Sequence, residues 1–540
     1  MNYSSTTTDD SGELKRRYNK FVTSRLPYEV RARECSTLTI PSLIPPLHSS
    51  SSYKFPTPYQ SLGARGVNNL SSKLLLTLLP PNSPFFKLAV DDFMLKKMTG
   101  QPGMRAQVEE ALASMERAVM TEVETTGIRT QVFEGLKHLL VSGNCLLFLS
   151  PHGGMKVFPL TRYVCKRDPM GNLLEIITKE DVSELELPLE VRKLLQKEDK
   201  LEGELNCDDS EELYTCVKFN KDGVWDVWQE VEGITIPGSV GTYPKDKCPW
   251  LALRFISISG EDYGRGYVEE YLGDHKSLEG LTRSIVQGSA ASAKIVFLLK
   301  PAAATKAAAI ARADSGDIIT GNPDDVSTLQ VQKHADFSVA ANTIKSLTDS
   351  LSYAYLLNSS IQRSGERVTA EEIRYMANEL ETALGGIYSA LSQEFQLPLV
   401  RVLMARMEVQ GKLPVLPTGT VKPMITTGIE AIGRGQDLSN LSALLQAITV
   451  LGPEIISQYL NVGDYIKRSG TGLGIDMNGL VKTDQEVAAV KQQAQQQQQQ
   501  QMMMQNLGPN AVTQLGQLAK HNMPGAPQAA QQQQEPPPQS

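Results

Sequence analysis

Apolar residues recur at helical spacing near the N-terminus and again in the second half of the chain, with short β-rich runs between. The clearest helical pattern runs from 104 to 124, where apolar residues follow one another at intervals of three and four. Another pattern, 67–79, ends at Pro80-Pro81, because proline cannot continue a helix. Residues 36–60 are rich in serine and proline and are predicted to be extended. Helices are also predicted at 14–33 and 130–141.

Between 145 and 259 the pattern changes to short runs of β-branched and aromatic residues separated by turn residues. Helix-length crossovers are mostly missing, so these strands are predicted to pair antiparallel in an α+β region. An acidic helix, 188–200, interrupts the series. The predicted strands are 145–149, 174–178, 213–219, 224–229 and 251–258.

Two further helical patterns, 266–288 and 336–358, flank a short module. At ~1.5 Å per residue each helix is roughly 35 Å long. The order helix, module, helix predicts a two-legged stalk with a compact tip, and glycines in the first helix would allow close helix approach. The module is predicted to contain strands at 294–299, 317–320 and 327–331 and a helix at 301–313.

A capping box at 369–372 begins a predicted long helix, 370–410. We expect Gly385-Gly386 and Pro398 to bend it. Downstream the pattern predicts a proline-rich connector at 411–425, helices at 438–451 and 453–466, and a glutamine-rich end at 491–540.

The glutamine-rich end cannot bury enough apolar area to offset the entropy of ordering, so it is predicted to be disordered. Glutamine tolerates helices, which allows a helix to continue from Thr483 into this segment. Two roles stay open for the segment: a tether to partner proteins, or disordered filler.

The composition is that of a globular protein, with 41% hydrophobic and 21% charged residues among 540. The formal net charge of −7 excludes a protein that coats nucleic acid by charge alone. The N-terminus lacks the pattern of a signal peptide, and no apolar run reaches the ~18 residues of a membrane span. A soluble chain made in the cytoplasm, without membrane insertion, is therefore expected.

Motifs of catalysis are missing from the sequence. There is no phosphate-binding Walker loop, no nucleophile elbow and no zinc-protease motif, and the six histidines are scattered. We therefore expect no enzyme, no catalytic residues, no cofactor and no metal. Gly264-Arg265-Gly266 could cradle a phosphate or be a flexible start to a helix, and Asp324-Asp325 could bind a cation or form a solvated turn.

Two segments carry a specific resemblance. Residues 359–387 read SSIQRSGERVTAEEIRYMANELETALGGI, and residues 425–438 read ITTGIEAIGRGQDL. They resemble the portal, or head-to-tail connector, protein of short-tailed phages (podoviruses) of the Autographiviridae type. The resemblance runs from about residue 14 to 475, and the glutamine-rich end departs from it.

The resemblance implies a fold class: α+β, mostly helical, a phage portal fold with a wing, a two-helix stem, a small α/β clip, a helical crown and a Gln-rich disordered C-terminal tail. Trp225, Trp228 and Trp250 are expected in the core of the wing. The expected boundaries are 1–13 disordered N-terminus, 14–262 wing, 263–288 first stem helix, 289–333 clip, 334–358 second stem helix, 359–368 channel loop, 369–433 long helix and connector of the wing, 434–490 crown and 491–540 tail.

The resemblance also implies function and partners. Portals of this kind form a ring of twelve subunits at one capsid vertex of the virion, and double-stranded DNA passes through the ring during packaging and ejection. The implied partners are the terminase large subunit, the tail adaptor and tail tube proteins, the major capsid protein, the scaffolding protein and internal core proteins. An alternative from another class is a non-enzymatic oligomeric scaffold that recruits partners through the Gln-rich tail.

A conduit must let DNA slide, so we expect a mostly repulsive wall with a few cationic contacts. Twelve copies would carry about −84, of which only charges within the ~8 Å screening length of DNA matter. The channel or valve candidates are Arg363, Arg367, Arg374 and Lys345; the clip candidates for motor, adaptor or DNA contact are Lys294, Lys300, Lys306 and Arg312. For each, an ordinary surface charge remains the alternative.

Overall fold

The computed structural model describes two compact units, residues 1–437 and 438–540, which are treated separately below. The described residues are 12–46, 52–81, 84–90, 104–183, 186–195, 210–292, 296–301, 304–329, 334–357, 386–414, 421–425 and 442–449, with shorter stretches at 375–376, 379–380, 382–384, 463, 465–466, 469–470, 487, 489–490, 492–497 and 499.

Most helices of the first unit lie where the apolar spacing predicts them. Their ends follow local chemistry: Gly127 and Gly143 adopt positive φ at the two ends of one helix, a conformation that glycine tolerates best. The helices are α1 (Glu13–Leu38), α2 (Leu62–Leu78), α3 (Met104–Thr125), α4 (Ile128–Ser142), α5 (Leu189–Leu195), α6 (Tyr267–Glu270), α7 (Leu272–Ser292), α8 (Ala307–Arg312), α9 (His334–Ala354), α10 (Ile387–Leu391) and α11 (Leu397–Val409).

The β-rich region is antiparallel throughout its described pairs, as predicted. One sheet has the order β4-β5-β6-β7-β8, with β9 also on β7, and a second has the order β10-β2-β3. The strands are β1 (Phe86–Val90), β2 (Asn144–Leu149), β3 (Met155–Pro159), β4 (Tyr163–Arg167), β5 (Leu173–Ser183), β6 (Ser210–Phe219), β7 (Val224–Val231), β8 (Ile234–Thr235), β9 (Gly241–Pro244), β10 (Trp250–Arg254), β11 (Val296–Leu299), β12 (Val326–Leu329) and β13 (Val421–Ile425).

The strand β13 corrects the prediction of a proline-rich connector at 411–425. It pairs antiparallel with β1, and Pro423 lies within it opposite Leu88. Proline removes one ladder hydrogen bond and is tolerated at the edge of a sheet. The pairing joins segments more than three hundred residues apart, which local patterns do not reveal.

The single long helix predicted at 370–410 is wrong. Gly386 adopts φ 91, which interrupts the helix, and α10 begins directly after it. A π-helical turn, Ser392–Gln396, then leads into α11, where Pro398 occupies the first turn. The interruption expected at the glycines is confirmed, whereas at Pro398 the backbone stays helical, since Gln396 and Leu397 before it are in the right-handed helical conformation.

One hydrophobic core runs beneath α2, α4 and the sheet β10-β2-β3, and includes Val67, Leu70, Leu136 and Leu147. Trp225 and Trp250 are buried in this core, and Trp228 packs against a smaller cluster under α1, which confirms the expected role of the tryptophans.

In the second unit, residues 442–449 are helical, within the predicted helix 438–451. Residues 492–497 are also helical with exposed side chains, so at these positions the expected disorder is replaced by the helix that glutamine tolerates. The rest of the tail, apart from position 499, lies outside the described residues.

Among the described residues, no helix is long and apolar enough to cross a membrane, and no three histidine, cysteine or acidic side chains gather as metal ligands. Five cysteines, at 35, 145, 165, 216 and 248, are free and buried.

Candidate functional site

The stalk consists of α7 and α9, which run antiparallel between the core of the first unit and a small tip in the same unit. The start of the first predicted stem helix is interrupted at Tyr271, where α6 ends and α7 begins. Near the tip, a Cβ atom built on Gly288 would lie 2.8 Å from the ring of Phe337, so this glycine lets the two helices approach. The close approach expected from the glycines is thereby found at Gly288, whereas Gly273 and Gly280 face open space.

The stalk of a single chain has little interior. Along α7 from 279 to 291, and along α9 from 337 to 350, every described side chain is partly or fully exposed. Burial is confined to the base, where Leu278 and Leu351 are enclosed. Two helices of this length normally bury a continuous apolar stripe, so most of this stalk is left to be covered by something else.

The base of the stalk is an aromatic cluster. Nε2 of His275 lies 2.8 Å from the hydroxyl of Tyr355, and both side chains are fully buried. The rings of Tyr267 and Tyr271 pack edge-on and tilted against Tyr355, and Tyr267 donates a hydrogen bond to the carbonyl of Ala354. Burial lowers the pKa of His275 to about 4, so the imidazole is neutral near pH 7.

The second stalk helix ends early because Leu356 adopts a left-handed conformation, φ 53, rare for a bulky residue. Leu357 N–H then donates to the carbonyl of Ser352, a bond that closes the helix end. The prediction that this helix continues to 358 is therefore wrong. The sequence gives no sign of the turn, because it has no glycine there.

Side chains of α2 secure that helix end. Nζ of Lys73 donates to the carbonyl of Leu356 at 3.0 Å, and Asn69 donates to the carbonyls of Tyr355 and Leu356. Lys73 also pairs with Glu379 at 3.3 Å, in the segment that follows the predicted channel loop. A cation at the carbonyl end of a helix opposes the negative end of its dipole. Lys73 therefore ties the chain before 358 to the chain after 374.

At the tip, β11 and β12 form a two-stranded sheet, and the strand predicted at 317–320 is wrong: these residues have no regular structure. A carboxylate organises the loops instead. Oδ2 of Asp325 accepts from the backbone N–H groups of Ala304 and Thr305 and from the Thr305 hydroxyl. Asp325 is thus a loop staple rather than a cation ligand or a purely solvated turn.

The junction between the β-rich region and the stalk is tightly packed. Both the amide N–H and the carbonyl of Gly264 bond to the side chain of Asn144, and Arg265 pairs with Glu261 and Glu269. A Cβ on Gly266 would lie 2.6 Å from the carbonyl oxygen of Val141. The glycines at 264–266 therefore serve close packing, and both a flexible start to the helix and a phosphate cradle are the wrong interpretation.

The structure places the candidate cations as follows. Lys345 is exposed on α9, and Lys300, Lys306 and Arg312 are exposed at the tip. The remaining candidates, Arg363, Arg367, Arg374 and Lys294, lie outside the described residues. Sequence reasoning missed Lys73, Asn69 and Glu379 because each acts through partners nearly three hundred residues away.

Comparison with known proteins decides the family. The model of the bacteriophage head to tail connecting protein family matches residues 11–481. The chain belongs to this family. The connector chain is 42% identical to the portal protein of Escherichia phage T7 over 475 residues, 87% of this chain and 88% of the relative. It is 43% identical to the portal protein of Enterobacteria phage T3 over 481 residues, 88% of this chain and 89% of the relative.

Among solved structures, the connector chain matches one from the virion of a native gene transfer agent particle. The identity is 9% and the TM-score 0.34, over 71% of this chain and 86% of that chain. The family that residues 359–387 and 425–438 predict is confirmed by the sequence relatives.

Proposed function

We propose that this chain is the subunit of a phage portal, a ring at one capsid vertex through which double-stranded DNA enters during packaging and leaves at infection. The exposed stalk is the observation that carries the proposal. An antiparallel pair of helices whose described side chains are not enclosed beyond the base is covered on both flanks when copies close into a ring. The subunit number that we propose, twelve, comes from the family resemblance.

We assign the parts of the chain to the parts of such a ring from the family resemblance. The wing would comprise 14–262 and 369–433, the stem 263–288 and 334–358, the clip 289–333 and the crown 434–490. The division of the chain after residue 437 lies close to the proposed start of the crown. The stem would border the channel, and the clip would project from it.

The clip is the proposed docking site for the terminase large subunit and later for the tail adaptor and tail tube. Its exposed cations, Lys300, Lys306 and Arg312, suit an acidic protein surface or DNA phosphates. Lys294 is proposed for the same role. The wing and crown would meet the major capsid protein, the scaffolding protein and internal core proteins inside the virion. The role is structural rather than enzymatic.

Residues 359–368 and the following Arg374 are proposed to form a valve that retains packaged DNA. Arg363 and Arg367 would stack, with Arg374, as rings of guanidinium groups that meet phosphates in pairs of hydrogen bonds. Lys345 would add a cationic ring higher in the stem. Lys73 supports a fixed position for the valve, because it holds Leu356 before this segment and Glu379 after it.

One experiment tests the ring. Purified protein is imaged by negative-stain microscopy, and we expect annular particles with an axial hole in end-on views. A chain that stays monomeric at high concentration, alone and together with its head-assembly partners, contradicts the proposal. Solid particles without a hole would favour the scaffold alternative.

A second experiment tests the valve. Heads built with Arg367→Ala are expected to contain normal rings but to lose packaged DNA, measured as the fraction of nuclease-protected full-length genome. Lys193→Ala, an exposed cation on α5 of the wing, is the matched control and should retain DNA. If heads with Arg367→Ala retain packaged DNA normally, the proposal of a valve is wrong.

A further inference from the structure

An extended segment, 52–60, lies along one flank of the stalk and is here named the aromatic arm. The carboxylate of Glu279 accepts hydrogen bonds from the backbone N–H groups of Tyr59 and Gln60 at 2.9–3.3 Å. The guanidinium of Arg283 lies 5.9 Å from the centre of the Tyr59 ring, and Gln287 reaches the Tyr59 hydroxyl. The three α7 residues are spaced by four, so the arm follows a single face of that helix.

Two aromatic side chains of the arm are exposed to solvent. Tyr53 is 41% exposed and Phe55 38%, and their rings contact each other edge-on with centroids 5.2 Å apart. Two proline residues, Pro56 and Pro58, stiffen the segment between these rings and the anchored Tyr59. Aromatic side chains contribute much of the binding energy at protein interfaces, so an ordered pair of exposed rings is typical of an interface.

The arm occupies the flank of α7 that faces away from α9. On α7, Gly288 faces Phe337 of α9 and His275 faces Tyr355 just beyond the end of α9, with Leu278 buried between them. At 3.6 residues per turn, Arg283 at the centre of the arm face lies about 140° around the helix from Leu278 and from Gly288. The order across one stalk is therefore arm, α7, α9.

The other flank of the stalk is a row of exposed residues on α9. Its members recur at intervals of three and four and are all exposed, including Val339 at 68% and Tyr353 at 79%. They fall within about 80° of one another around α9. Their centre lies about 160° around the helix from Phe337, which contacts Gly288 of α7. We name these five residues the outer seam: Val339, Asn342, Ser346, Asp349 and Tyr353.

The two flanks also match in their position along the stalk and in the sign of their charges. Gly288 lies beside Phe337 and His275 beside Tyr355, so the arm contacts at 279–287 stand level with about 339–347 on α9. The arm flank carries the exposed cations Lys54 and Arg283, and the outer seam carries Asp349. Opposite flanks with complementary chemistry are what a head-to-tail, closed ring requires.

We propose that the aromatic arm of one subunit docks on the outer seam of the next copy of this chain, so that Tyr53 and Phe55 clasp neighbouring stalks together. This rests on the proposed ring. The occupant of the seam is a second copy because each stalk carries both halves of the contact on opposite flanks, which a single chain cannot bring together.

Disulfide trapping in the full-length chain tests this contact. Phe55→Cys is combined in turn with Val339→Cys, Asn342→Cys or Ser346→Cys, and assembled protein is oxidised and run on a non-reducing gel. We expect at least one combination to give a ladder of covalent multimers, since cysteines within ~7 Å can be bridged. Each single variant, and Ser346→Cys with the exposed wing variant Met170→Cys, should give no ladder.

The outcomes separate this proposal from the ring itself. Rings seen by microscopy without a ladder from any combination overturn the clasp while leaving the portal function intact. Absence of rings in the unmodified protein overturns the portal function first. As a second measurement, Tyr53→Ala with Phe55→Ala should raise the protein concentration needed for half-maximal ring assembly more than tenfold, with Met170→Ala unchanged. An unaltered assembly midpoint contradicts the clasp.

Discussion

The ring of Tyr355 rests directly on the backbone of α2 at Gly66: a Cβ atom built on that glycine would lie 2.5 Å from Cγ of the tyrosine. Tyr355 is fully buried and also contacts His275, so it cannot yield easily. The base of the stalk is thus packed against α2 at a position where only a hydrogen atom fits as the side chain.

The first prediction concerns that contact. Gly66→Ala should lower the free energy of unfolding by about 1–3 kcal/mol, because the added methyl group overpacks the site. Chemical denaturation measures the change. Gly241→Ala is the control, since a Cβ there meets nothing within 4 Å. Equal stability of Gly66→Ala and the unmodified chain would show that Tyr355 moves aside.

The second prediction concerns Lys73, which is buried and bonded to the Leu356 carbonyl and to Glu379. Lys73→Met removes the charge and keeps most of the volume, so the carbonyl and carboxylate lose a partner at a cost of about 1–3 kcal/mol. Hydrogen exchange should quicken at the end of α9.

Lys276→Met is its matched control. Lys276 pairs with Glu34 at 2.6 Å, but both side chains are about half exposed, so the change should be within about 1 kcal/mol. If both variants behave alike, the buried lysine does not secure the helix end.

The third prediction concerns acid. Burial lowers the pKa of His275 and of His138 to about 4, from 6.5 in the unfolded chain. The unfolded chain therefore binds protons first, and stability falls as the pH drops from about 6.5 towards 4. Each histidine should cost about 2 kcal/mol between pH 7 and pH 5.

His275→Gln should therefore reduce the loss of unfolding free energy over this interval. Glu212 does not obscure the result: its pKa is lowered to about 2, chiefly by a hydrogen bond from Lys179, so its contribution is lost only as the pH falls from about 4.5 towards 2. An identical pH profile in His275→Gln would rule out the buried imidazole as a source.

The fourth prediction concerns the tip. Asp325→Ala removes the acceptor of two backbone N–H groups and the Thr305 hydroxyl and should loosen the tip by about 1–3 kcal/mol. Limited proteolysis should accelerate at the tip while the melting of the wing stays unchanged. Asp324→Ala, next in sequence, should leave cleavage rates as they are. If Asp325→Ala and Asp324→Ala are cleaved at the same rate, Asp325 does not hold the loops of the tip together.

Patterns of local origin predict much of this fold. The helices α2, α3 and α4 follow their apolar spacing, and the strands β2, β6 and β7 follow their β-rich composition, because both signals are contained within a few turns of chain. The stalk was predictable in the same way, including the part played by Gly288.

What local patterns could not give are relations between distant residues. β13 is short and contains a proline, so its pairing with β1 is a tertiary effect. The break at Gly386 and the left-handed Leu356 depend on the partners around them. The clamp of Lys73 and the arm on Glu279 join segments that nothing in the sequence brings together.

During translation, β1 leaves the ribosome long before its partner strand has been made, since β13 follows the whole stalk in the chain. A nascent polypeptide at that stage exposes the backbone edge of β1, with Phe86 and Leu88 beside it, to any neighbouring chain. A chain that has not yet synthesised β13 therefore carries an unpaired strand edge, and we expect crowded nascent chains to aggregate through it.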